Sequence, residues 1–89
     1  MLARNFKKFR SRPVEVEAMF FDGTNTIDLM NWLGRDLCAT EPARTALLIA
    51  TPEGKRRAEA GDWVIKADGT AYPLKSYIFE MKFEPADRV

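Results

Sequence analysis

Thirteen carboxylates, 14 Lys and Arg side chains, two phenols, one thiol and no imidazole are the ionisable side chains with which this chain of 89 residues could do chemistry. Without histidine there is no Ser-His or Cys-His nucleophile pair, no His-ligated zinc and no proton switch near neutral pH. The single thiol, Cys38, can form neither an intrachain disulfide nor a CxxC site. With no base to activate it, it is expected to be idle, in an irregular loop. The carboxylates are poorly spaced for acid–base or metal work. Glu15 and Glu17 share one predicted strand face and Glu80 and Glu84 another, each among basic neighbours, the pattern of solvated sheet faces. Gly23, Gly34, Gly54, Gly61 and Gly69 are dispersed one per turn and make no phosphate cradle. No catalytic residue, metal site or cofactor is expected, and an enzyme is the least supported class.

What remains are side chains suited to binding. In Gly61-Asp62-Trp63, Asp62 could present an acceptor to a ligand beside the Trp63 ring. The competing role is structural: Gly61 takes positive φ, Asp62 bonds its own turn amides and Trp63 anchors the core. Trp63, Tyr72 and Lys66 together would suit a small nucleotide-like ligand. Trp32, Trp63, Tyr72 and Tyr77 exceed the aromatic surface that so small a core readily hides, so one or two are expected at an interface. Arg4, Lys7, Lys8, Arg10 and Arg12, interleaved with Phe6 and Phe9, form a basic N-terminal arm. Such an arm suits single-stranded nucleic acid, with cations on phosphates and rings under bases. Leu2, Phe6 and Phe9 also share one side at helical spacing, as in an interfacial membrane anchor. The plainer alternative is a solvated arm whose cations discourage edge pairing. Lys55-Arg56-Arg57 is a second basic cluster, relevant to binding only if the fold sets it beside the arm.

The formal charge of +1 conceals an asymmetry. Removing the arm's five cations from the 14 leaves nine against 13 acids, so residues 14–89 carry −4. An acidic body with a basic arm does not have the uniformly basic face that duplex nucleic acid favours. A composition of 46% apolar and 30% charged residues is that of one globular domain, residues 13–89, preceded by the arm 1–12. The longest unbroken apolar run, Ala46–Ala50, is far short of the ~20 residues of a membrane span, and no signal-peptide stretch follows the N-terminal cations. With one unpaired cysteine, a reducing cytoplasm is the simplest compartment.

The elements that must position these residues follow from periodicity. Val14 to Phe21 alternates as a strand whose polar face turns apolar at Met19 and Phe21, implying cover on both sides at its far end. Asp22-Gly23 breaks it, Thr24 or Asn25 can cap a helix, and Thr26–Leu33 carries a broad apolar stripe ended by Gly34. Asp36–Thr45 lacks periodicity and reads as a surface loop. Leu47–Ala50 reads as a central buried strand, Pro52-Glu53-Gly54 as a turn, and Lys55–Ala60 as its return. Trp63–Lys66 and Thr70–Leu74 flank Asp68-Gly69, a hairpin turn, with Pro73 at a strand end or edge. Phe79, Met81 and Phe83 alternate with Glu80, Lys82 and Glu84 in a last predicted strand ended by Pro85. The expected fold is α+β: one helix on a curled, mainly antiparallel sheet of five to six strands, either a two-layer sandwich or a small, partly open barrel.

Phe9-Arg10-Ser11-Arg12-Pro13-Val14-Glu15-Val16-Glu17-Ala18, with Phe21-Asp22-Gly23-Thr24-Asn25, resembles the opening of a group of short proteins of tailed bacteriophages and prophages. The second half resembles the same group in Gly61-Asp62-Trp63-Val64-Ile65-Lys66, Tyr72-Pro73, Ile78-Phe79-Glu80 and Glu84-Pro85. In that group a proline commonly stands where this chain has Ala60, and a cysteine where it has Leu74. The resemblance implies a phage product made in the cytoplasm of an infected bacterium, and it brings no activity with it.

Together these features lead to the expectation of a small non-enzymatic protein that binds a host or phage protein, using a partly apolar sheet face or the loop Asp36–Thr45, and that can also self-associate. The alternatives are a nucleic-acid-binding module working through the arm, and a binder of small nucleotide-like ligands.

Overall fold

A computed structural model describes residues 15–40 and 46–86. The five arm cations lie outside these residues. In chain order the elements are β1 (Glu17–Phe20), α1 (Thr26–Leu33), β2 (Cys38–Thr40), β3 (Ala46–Thr51), β4 (Gly54–Glu59), β5 (Asp62–Ala67), β6 (Thr70–Lys75) and α2 (Ser76–Lys82). The strands form two three-stranded antiparallel sheets, ordered β1-β5-β6 and β2-β3-β4. The α+β class is as expected, and the described residues hold six strands, within the expected five to six; but among them there are two helices instead of one, and the strands form two three-stranded sheets instead of one curled sheet.

Local sequence accounts for the elements that match expectation. Helix α1 spans Thr26–Leu33 and buries Leu29 and Leu33. It ends at Gly34, whose N–H donates to the Met30 carbonyl at 2.8 Å. Strand β3 is the centre of its sheet, with Ala46, Leu47 and Ile49 buried. In the β5–β6 hairpin, Asp68 and Gly69 both have positive φ, 52° and 77°, as a tight turn matching the right-handed strand twist requires. Pro73 sits on β6, an edge strand that tolerates its missing N–H.

Three expectations need correction. The predicted last strand is helix α2, Ser76–Lys82. The alternation of Phe79, Met81 and Phe83 is only apparent: Phe79 and Phe83 are four apart and stack at 5.1 Å between ring centroids, whereas Met81 is 79% exposed. The segment read as a surface loop contains β2, which pairs Cys38 with Ile49 and Thr40 with Leu47. Cys38 is therefore a core residue of a strand. Neither Thr24 nor Asn25 caps α1 through its side chain. The Asp22 carboxylate instead accepts from the Thr24 amide and hydroxyl, both at 2.7 Å, and from the Asn25 amide at 3.1 Å. These bonds, the Thr24 amide first, hold its pKa below the ordinary carboxylate value.

One core joins both sheets and α1. Phe21, Leu29, Leu33, Cys38, Leu47, Ile49, Ala58, Val64 and Ala71 form it, with Met19, Met30, Trp32 and Leu37 packed around. Directly paired residues of antiparallel strands share a face. Pairing of Ala18 with Ile65, Phe20 with Trp63, and Ile65 with Tyr72 thus puts these five on the face of the β1-β5-β6 sheet away from that core. Helix α2 covers part of this second face, through Phe79 stacked on Trp63.

Burial pushes the Cys38 thiol pKa up, so the protonated form is held. Its reaction with an aromatic disulfide reagent should be slower by about a hundredfold or more in the folded chain than in denaturant. Comparable rates in the two states would show that β2 does not seal this edge of the core.

Candidate functional groove

Among the described residues picked out for binding, Trp63 alone lines an open groove on the surface. It is half-buried at the middle of an aromatic row. The Phe20 ring meets it edge-on at 5.4 Å and 62°, the Phe79 ring stacks at 4.2 Å and 9°, and Phe83 stacks on Phe79. Trp63, Phe79 and Phe83 of this row, without Phe20, line an open groove of about 990 Å³ between β1 and α2. Val16, Ala18, Trp63, Phe79, Phe83 and Pro85 give it an apolar lining, and Glu15, Glu80 and Glu84 also line it. All three carboxylates belong to exposed residues, and no Lys or Arg is among the described lining residues. The groove therefore combines an apolar, aromatic floor with negative charge from both the β1 and α2 sides.

The apolar outer face of β1 needs this groove. Its inward face carries Met19 against the core and leads to fully buried Phe21, while Val16 and Ala18 line the groove. Cover on both sides was expected at the far end of this strand; there Phe20, on the outer face, is 39% exposed, and α2 covers that face only in part.

Asp62 has a structural role. It is 4% exposed, accepts the Glu59 amide at 2.9 Å and pairs with Lys75 at 3.1 Å. Gly61, at φ 97°, donates its N–H to the Phe21 carbonyl, and Phe21 donates to the Asp62 carbonyl, so the corner is tied to the end of β1. The hydrogen bond to Asp62, and then its charge, raise the Lys75 pKa above the ordinary lysine value. Asp62→Ala leaves the Glu59 amide without its acceptor and should cost about 1–2 kcal/mol in a urea melt. A change near zero would mean that water replaces the carboxylate at no cost.

Lys66 is engaged on the core side. Its ammonium donates to the Trp32 carbonyl at 2.9 Å and lies 5.8 Å from the Trp32 ring centroid, while Trp32 Nε1 donates to Glu17 at 3.2 Å. Glu17 and Lys66 are register partners, so α1 is latched across the β1–β5 pair. Tyr72 is half-buried on the Trp63 side of the sheet but does not line the groove. Trp63, Tyr72 and Lys66 do not converge on one pocket, because Lys66 projects from the opposite face. Tyr77 is 67% exposed on α2, four residues before Met81, and does not line the groove either. Lys55, Arg56 and Arg57 lie on β4, the exposed edge of the other sheet. Among the described residues no group of three or more Cys, Asp or Glu is placed to hold a metal ion, and no helix is long and apolar enough to cross a membrane.

Sequence reading missed the groove's other contributors: Val16, Ala18, Phe79 and Phe83, with Glu15, Glu80 and Glu84. The usable signals were the two-sided apolar character of β1 and the four-residue spacing shared by Phe79/Phe83 and Glu80/Glu84. Comparison with protein-family models, with curated proteins and with solved structures gives no match.

Proposed function

We propose that this protein is a non-enzymatic binding module that engages a protein partner through the groove between β1 and α2. The observation that carries this reading is the stacked Trp63–Phe79–Phe83 row lining an open, largely apolar groove. Aromatic side chains in a partly solvated cleft are the usual anchors of protein contacts. The sequence contains no histidine, and the polar groups of Asp62 and Lys66 are committed to internal contacts, which favours binding over catalysis. The resemblance to short tailed-phage proteins supports a phage product acting on a host or phage protein in the bacterial cytoplasm. Carboxylates around the groove disfavour a phosphate backbone there, so nucleic-acid binding would have to work through the arm, which lies outside the described residues.

Ala18→Arg places a long charged side chain on the groove floor. Immobilised wild-type chain should retain a protein from host lysate that the folded Ala18→Arg variant loses and that Arg56→Glu, on β4, keeps. Equal retention by all three, or a wild-type chain that repeatedly retains nothing and is monomeric by light scattering, would defeat the proposal.

A further inference from the structure

The groove's lining also specifies the chemistry of its occupant. We infer that the groove takes an extended, cationic segment of a partner protein, with apolar side chains at alternate positions. This inference rests on the groove being a protein-binding surface and adds the class of partner. Glu15 flanks the floor from the β1 side, and Glu80 and Glu84 flank it from the α2 side, while Trp63, Phe79 and Phe83 form the apolar surface between them. Three formal negative charges with no described lining cation set a potential that repels acidic segments and phosphate and attracts Lys and Arg. Guanidinium or ammonium groups over the Trp63 or Phe83 rings would gain further from the negative faces of those rings.

Extended geometry follows from the position of β1. Among the described residues β1 is the edge strand of its sheet and pairs only with β5. The Phe20 carbonyl already accepts from Asn25 Nδ2 at 2.7 Å, but a chain laid along such an edge can take up the remaining outward backbone groups while every second side chain faces one side, here the groove. That alternation sends apolar residues toward Trp63 and leaves the intervening cations for the flanking carboxylates.

Charge swapping tests this directly. The full chain is titrated by fluorescence anisotropy with a labelled decapeptide alternating Lys and Val, and with its counterpart alternating Glu and Val, at low and moderate salt. The wild type should bind the Lys peptide at least about tenfold more tightly, with the preference weakening as salt rises. The E80K/E84K variant, shown to be folded by circular dichroism, should reverse the preference. Equal affinity for both peptides, lost in Ala18→Arg, would leave the protein-binding groove standing and overturn the cationic partner. No binding of either peptide, or a Lys-peptide preference unmoved by E80K/E84K, would also overturn it. A doubled mass in sedimentation that E80K/E84K abolishes would assign the groove to a second copy of the chain. Binding that emerges only once Arg4, Lys7, Lys8, Arg10 and Arg12 are replaced by glutamine would assign it to this chain's own first residues. Either result displaces the partner segment.

Discussion

Trp63→Ala is expected to destabilise the domain by about 3 kcal/mol, from loss of a large, partly buried ring and its two aromatic contacts. Against a total of about 5–15 kcal/mol for a domain, that lowers the thermal midpoint by some 10 °C or more. The loss should not be evenly spread. Helix α2 has seven residues and buries none completely, so it cannot persist by its own hydrogen bonding and depends on Phe79 stacked against Trp63. Hydrogen exchange should show α2 amides losing protection well before those of β3, and partner binding should vanish with them. Trp63→Phe keeps a stacking surface and should lose less than half as much stability. If α2 protection and partner retention survive Trp63→Ala, the aromatic row does not hold the groove together.

Leu47→Ala tests the other side of the molecule. Leu47 is fully buried on the central strand of the β2-β3-β4 sheet, opposite Thr40 and Ala58, and within the core shared by both sheets. Removing three side-chain carbons from such a site costs about 3–4 kcal/mol, part of it lost transfer energy and part the cavity left behind. The whole domain should respond in one transition, since β2, β3 and α1 meet at this cluster. Arg56→Ala, on the exposed β4 edge, should change the stability measured by urea unfolding by no more than about 0.5 kcal/mol. A small effect at Leu47 would mean that the two sheets do not share a core.

How much of this was legible depended on how local the determining contacts are. Helix α1 could be bounded because its apolar stripe and terminal glycine lie within one short window. The Asp68-Gly69 hairpin could be placed because its turn chemistry is intrinsic to two residues. Strand β2 was hidden because three residues, Cys-Ala-Thr, carry no usable period and become a strand only by pairing with β3. Helix α2 was misread because Phe79, Met81 and Phe83 satisfy a period of two, while the contact that decides the matter, Phe79 on Trp63, is made with strand β5, outside the local window. The groove inherits both difficulties. Its lining comes from β1 and the residues before it, from Trp63 on β5, and from α2 and the residues after it, and only the fold brings Glu15 and Glu84 to one cleft. Asp62 and Lys66 show the reverse case. Each is a residue type that binds ligands, and each is engaged by a neighbour inside the fold.

Site-specific photo-crosslinking in host cells shows whether a partner sits on the face between β1 and α2. A photoreactive phenylalanine analogue is placed at Phe83 in the groove and, as controls, at Asn31 on α1 and Arg56 on β4. One discrete crosslinked protein is expected from position 83, lost when Ala18→Arg is added, and none from positions 31 and 56. Adducts of equal yield at all three positions, or a discrete adduct from a control position alone, would contradict that placement.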